Sequence, residues 1–161
     1  MVRASGTERV ARVVATPAAL AAIDAVVARH GSVLFFQSGG CCDGSLPMCF
    51  TVAEFVIGAY DVLLGKVGGC PFYMDPRQFE LWKHTQLVLD VGAGEPEGFS
   101  LSAGDDRHFI VRSRVFSAKE LAMLEGSDGT PQGTSPRPKR ECARDVRAQV
   151  LGRHEGDRTD V

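Results

Sequence analysis

Val33-Leu34-Phe35-Phe36-Gln37-Ser38-Gly39-Gly40-Cys41-Cys42-Asp43-Gly44-Ser45 is the stretch on which the reading of this chain turns. Its first half is almost wholly apolar, which predicts a strand over Ser32 to Gln37 that is central and covered on both faces. Its second half is a glycine-rich loop carrying two adjacent thiols and a carboxylate, with a third thiol close by at Cys49. Glycines keep the backbone bare, so side chains on such a loop can converge on one point. Convergent thiolates suit metal binding or thiol chemistry.

Outward from this stretch the chain alternates short strands with glycine-rich turns. Thr16-Pro17 is a helix start, an N-cap hydroxyl followed by a proline at the first helical position. The uncharged run Val13 to Ile23 reads as helix, with Leu20, Ile23 and Val27 at helical spacing and Gly31 as the stop. Phe50 to Tyr60 alternates weakly between strand and loop. Asp61 to Leu64 and Cys70 to Met74 read as strands, with Gly65, Gly68 and Gly69 between them. Asp75-Pro76 opens a short helix over Arg77 to Lys83, and Leu87 to Val91 is a strand. Phe99 to Leu101 and His108 to Phe116 read as a hairpin pair, and Ser117 caps a last helix over Ala118 to Glu125. The expected fold is α+β: a compact, β-rich single domain of several short mixed strands with a helix near each end.

All twelve aromatic residues lie between Phe35 and Phe116, where a core can be built. Residues 1–15 read as a flexible N-terminus and 16–126 as the globular domain. Residues 127–161 read as a disordered tail, because Gly126 to Pro138 is dominated by turn formers. The net charge of −2 does not suit a nucleic-acid binder driven by overall charge, and the basic cluster Arg137 to Arg147 is interrupted by acids and lacks aromatics. No apolar stretch is long enough to cross a membrane. Five cysteines, an odd number, in a chain with a good core point to a reduced, cytoplasmic setting.

Cys42 and Cys49 are seven apart, which fits neither a Cys-x-x-Cys pair nor a zinc-knuckle spacing. Two readings of the cysteines stand side by side: ligands or reactive thiols, and small buried hydrophobes. As a metal site, Cys41, Cys42 and Cys49 would be completed by His84, and thiolates with imidazole favour zinc or iron. As an enzyme, Cys41 or Cys42 would be the nucleophile, Cys42 being the candidate paired with His84 as base. Phosphate loops, dinucleotide fingerprints, nucleophile elbows and His-Glu-x-x-His are missing, so no nucleotide cofactor is expected.

Phe35 to Ser45 with Pro47-Met48-Cys49, then Val67-Gly68-Gly69-Cys70-Pro71-Phe72-Tyr73, Trp82-Lys83-His84-Thr85, Leu89-Asp90-Val91 and Glu97 to Leu101, resemble the successive blocks of the bacterial domain-of-unknown-function family 779. The resemblance implies a small soluble protein of a family often encoded beside aldehyde dehydrogenase genes. It implies an accessory role near alcohol or aldehyde oxidation, with an aldehyde dehydrogenase as partner; a homo-oligomer is a separate option that the sequence leaves open. A second resemblance links Gly39 to Gly44 after a strand to the Gly-Gly-Cys-Ser-Gly turn of HesB-like iron–sulfur carriers. Those carriers complete their ligands with a C-terminal Cys-x-Cys pair, whereas Ser102 to His108 contains no cysteine here.

Overall fold

The computed structural model describes residues 9–39, 45–96 and 98–126. Cys41, Cys42, Asp43 and the expected tail of 127–161 lie outside the described residues. Among the described residues seven strands and three helices follow one another: β1 (Val13–Ala15), α1 (Pro17–His30), β2 (Val33–Gln37), β3 (Pro47–Thr51), β4 (Val62–Val67), β5 (Cys70–Met74), α2 (Pro76–Trp82), β6 (Thr85–Ala93), β7 (Arg107–Val115) and α3 (Ala118–Gly126). The architecture is α+β, with strands of mixed direction in two sheets.

One sheet has the order β3-β2-β5-β4 and the other β1-β6-β7. β2 is central, antiparallel to β3 and parallel to β5, as its apolar run requires. β1 runs parallel to β6, and β7 antiparallel to β6 along its whole length. β1 lies against β4 and β3 against β7, so the two sheets adjoin along both sides and enclose one core. Phe35 links them: its ring stacks on Phe72 at 5.9 Å and meets Phe109 edge-on at 5.0 Å. Val33, Phe35, Cys49, Cys70, Phe72, Met74, Leu87 and Leu89 fill this interior. The outer face of the four-stranded sheet carries a second cluster, in which Phe55 stacks on Phe50 at 4.5 Å and tilts against Phe36 at 5.1 Å.

The first helix starts where the sequence indicates. Thr16 is extended, with φ −71° and ψ 159°, and its hydroxyl accepts from the Ala19 N–H. The expected helix over Val13 to Ile23, and the flexible stretch ending at residue 15, need correcting: Val13–Ala15 is strand. A residue before proline is pushed out of the helical region, which stops the helix at Pro17. The two β-branched valines ahead of it pair with Leu87 and Val88 instead. Val13 is buried, and the Leu87 N–H donates to the Arg12 carbonyl at 2.9 Å. Leu20 is also more exposed than expected; Ala19, Ala22, Ile23 and Val26 form the inward side of α1. Those alanines let the helix approach the sheets closely, and Ile23 reaches the β4–β5 turn at Gly68. Gly68 and Gly69 both have positive φ, 54° and 77°, as a tight two-residue hairpin needs.

Two further differences concern pairing. Pro47–Thr51, not read as strand from the sequence, is β3, so the cysteine loop is the connection of a β-hairpin. The expected hairpin between Phe99–Leu101 and His108–Phe116 does not form. β7 takes β6 as partner over nine residues, which a three-residue segment cannot match. Ser100 and Leu101 lie beside β3 instead, with the Leu101 N–H donating to the Cys49 carbonyl at 2.8 Å and the Cys49 N–H donating to Ser100 Oγ at 3.0 Å. α3 opens with a reciprocal cap: the Ser117 N–H donates to Glu120 Oε2 and the Glu120 N–H to Ser117 Oγ. No helix among the described residues is long and apolar enough to cross a membrane.

Candidate functional site

The loop that joins β2 to β3 is tied at its root. The Ser38 N–H donates to the Leu46 carbonyl at 2.9 Å, and the Leu46 N–H donates to Ser38 Oγ at 2.9 Å. Ser45 Oγ donates to the Ser38 carbonyl at 2.7 Å and accepts from Gln37 Nε2 at 2.7 Å. Gln78 of α2 reaches the same hydroxyl, Nε2 to Oγ at 3.4 Å. Asp75 aims that helix: its carboxylate accepts from the Arg77 N–H, and Gln78 becomes the buried residue of the α2 turn. Gln37, Ser45 and Gln78 are only 1%, 8% and 7% exposed. The inward positions of β2 are thus Val33, Phe35 and Gln37, the last turned polar where the core meets the loop.

Cys49 sits on the inward face of β3, opposite Phe35, and is fully buried. Burial pushes its thiol up from 9.0 to about 12, and the neighbouring Cys70 adds to the rise. Such a thiol is neutral at physiological pH. Cys70, also fully buried, directs its sulfur to the Gly68 carbonyl at 3.7 Å. The two cysteines lie on strands either side of β2. Two strand spacings of about 4.8 Å separate their backbones, beyond the roughly 7 Å limit for a disulfide. Neither is in a disulfide.

His84 is exposed in the turn between α2 and β6. This turn is held by its backbone: the His84 carbonyl accepts from the Phe116 N–H at 3.0 Å, the Lys83 carbonyl from Arg12 Nη1 at 2.9 Å, and the Trp82 carbonyl from Thr85 Oγ1 at 2.8 Å. Arg12 also lies over the Phe79 ring at 5.1 Å, and burial lowers its pKa. Beside it Leu64, Met74, Trp82 and Leu87 line a small indentation with room for about one water. His108 is fixed elsewhere, with Nδ1 3.0 Å from the Gly94 carbonyl, an acceptor that places the proton on Nδ1. His30 ends α1, where a cation complements the helix dipole.

The four residues expected to share a metal are therefore distributed as follows. Cys41 and Cys42 lie outside the described residues, Cys49 is in the core and His84 is at the surface. Among the described residues no group of three or more His, Cys, Asp or Glu side chains is placed to hold a metal ion. Gln37, Ser45 and Gln78 were not singled out from the sequence. The signal for the first was present: a glutamine ending an otherwise apolar strand, directly before Ser-Gly-Gly. Gln78 carried no such signal, because only the folding of α2 onto the loop root gives it a partner.

Fold and site together define a small α+β protein with a buried polar cluster at the root of the β2–β3 connection. The chain belongs to the family described as Domain of unknown function (DUF779), whose pattern matches residues 22–115, more than half of its length. The matched span runs from α1 to the end of β7 and contains the hairpin, its loop and both core cysteines. No curated protein matches the chain.

Proposed function

We propose that this chain is a cytoplasmic accessory protein that works through the thiols of Cys41 and Cys42, either holding a soft metal such as zinc or iron or reacting with a thiol-seeking substrate. One observation carries this reading: the stem of the cysteine loop is anchored at Ser45 from β2 and α2 at once by buried polar groups. A hairpin connection without a task needs only its ladder. This one adds three side chains taken out of water, an arrangement that holds a loop in place for binding or chemistry.

Cys49 and Cys70 are explained by packing, so the working thiols are those of the loop. A metal centre on Cys41, Cys42 and His84 would need a further ligand in place of the buried Cys49. A covalent role needs only one loop thiolate, Cys42 for instance, and a base; exposed His84 is free of structural duty in its side chain. The resemblance to a family often encoded beside aldehyde dehydrogenase genes supports a proposed substrate near alcohol or aldehyde oxidation. A thiolate adds readily to an aldehyde carbonyl, and the dehydrogenase is the proposed partner.

The test is elemental analysis and thiol kinetics on one preparation, purified reduced and without chelator. Zinc or iron near one per chain, lost when Cys41 and Cys42 are both changed to Ser, establishes the metal role. Metal-free protein in which a loop thiol reacts many-fold faster than glutathione establishes the covalent role. Metal-free protein with loop thiols no faster than glutathione overturns both.

A further inference from the structure

The edge of β7 that faces away from β6 is open along its second half. Backbone groups of an antiparallel strand alternate between its two sides. The Phe116 N–H donates to the His84 carbonyl on the β6 side, and the Arg107 carbonyl accepts from the Ala103 N–H on the other. By this alternation Val111, Ser113 and Val115 turn their N–H and C=O groups away from β6. None of these groups meets a hydrogen-bond partner among the described residues. They are accessible: Ser113 is exposed, and Val115 is 73% exposed although apolar. Other stretches of edge are covered. Ala103 closes β7 at Arg107, Ser100 and Leu101 take the Cys49 N–H and C=O on β3, and β4 lies against β1.

A straight edge without proline, bulge or cover is a template for another strand. β7 contains no proline and keeps register with β6 over its whole length. What an added strand must carry is set by Arg112 and Arg114, which alternate with the open residues. A residue placed opposite either one forms a non-hydrogen-bonded pair, the kind with the closest side chains. Arg112 is the freer cation. Its side chain is 70% exposed and meets Asp90 at 3.4 Å, while that carboxylate is already held by the Thr16 hydroxyl and the Val91 N–H. Arg114 is bound by Gln86 and Glu120 yet remains half-exposed. A second copy of the chain does not fit. Antiparallel self-pairing within Val111–Val115 sets arginine against arginine in each register that engages more than one of the open residues, and like charges directly opposite are destabilising.

We propose that the β7 edge over Val111–Val115 docks an extended segment of a partner protein by antiparallel strand addition. The segment alternates apolar residues, beside Val111 and Val115, with acidic residues opposite Arg112 and Arg114. The main chain supplies affinity, and the arginines supply the choice of partner. This docking site is independent of the cysteine loop. It gives an accessory protein a means of holding its partner whatever the loop thiols do.

The probe is a cyclised β-hairpin peptide, preorganised for strand addition, whose outer strand reads Val-Glu-Val-Glu-Val. A hairpin with Val-Lys-Val-Lys-Val in its place is the control. Each is titrated into the isotope-labelled full chain, and backbone amide shifts are followed residue by residue by NMR. The glutamate hairpin should shift Val111, Ser113 and Val115 saturably and bind at least about threefold more tightly than the lysine hairpin, through its cross-strand ion pairs. Arg112→Glu should erase that preference. Ser113→Pro should abolish binding while β7 stays paired with β6, because an edge strand tolerates proline where the N–H leaves the sheet. The glutamate hairpin N-methylated along its hydrogen-bonding edge puts the same question to the unaltered protein, and it should not bind. No saturable shift at these residues, equal affinity for the two hairpins, or binding that survives N-methylation overturns the proposal. Concentration-dependent shifts of the same amides without peptide, with a dimer in sedimentation, overturn it too, because the occupant is then a second copy.

Discussion

Alkylation of Cys49 in the native protein should be slower than that of a free thiol by about five orders of magnitude. Two routes are open to a reagent. In place, the thiol is raised from 9.0 to about 12, which cuts the thiolate fraction at neutral pH about a thousandfold. The sulfur is also enclosed by the core, at 0% exposure, so this route is closed further by occlusion. The other route is unfolding, which restores an ordinary thiol. At a stability of about 7 kcal/mol, roughly one molecule in 10⁵ is open, and that population sets the observed rate. The assay is iodoacetamide labelling in native buffer and in rising urea, with a heavy-isotope label after full denaturation to count the unreacted fraction. Cys49 and Cys70 should label together, along the unfolding transition, and a chelator in native buffer should change neither. Cys49 labelling in native buffer within about tenfold of glutathione would refute the reasoning, because it would require an exposed or ionised thiol. The same shift has a pH consequence. An acid raised by folding stabilises fully below its free value of 9.0, and that contribution is lost as pH rises from there towards 12.

Phe35→Ala removes the ring that joins the two sheets and should cost about 3–5 kcal/mol in urea unfolding; a loss under about 1 kcal/mol would mean the sheets do not meet through it. Gly68→Ala should destabilise more than Gly69→Ala. Both positions have positive φ, but a Cβ at Gly68 would approach Ile23 Cγ2 to 3.0 Å while one at Gly69 meets nothing, so equal effects would put α1 elsewhere. The Glu120 carboxyl is held down to about 2, first by hydrogen bonds from Arg114 and then by the Ser117 N–H. A lowered acid stabilises above its free value of 4.5 and loses that contribution as pH falls towards 2. Glu120→Gln should therefore weaken the fold at pH 6 and match wild type near pH 2; an equal deficit at both would show that the charge is irrelevant.

Much of this molecule was legible locally. Thr16-Pro17 sets the start of α1, because proline fixes its own dihedral and bars its predecessor from the helix. Val67-Gly68-Gly69-Cys70 sets a hairpin, because two consecutive positive φ angles suit glycine and little else. The apolar run Val33 to Phe36 marks a central strand, and glycines with cysteines mark the loop. Pairing was not legible, since it depends on which edges meet. Pro47–Thr51 is strand only because β2 offers it a ladder. Val13–Ala15 is strand only because β6, more than seventy residues later, lies alongside.

The tertiary structure also divided the cysteines, which composition could not do. Cys49 and Cys70 look as reactive as any other thiol in the sequence. Their inward register on β3 and β5 makes both core residues, and at Cys49 desolvation opposes the thiolate. Gln37 went the other way. In sequence it is the polar end of a strand; in the fold it is a buried amide bonded to Ser45, which Gln78 of α2 also reaches. Local propensity, carried by neighbouring residues, is what the sequence alone determined. Burial, and with it the chemistry of each thiol and amide, was decided only when distant segments came together.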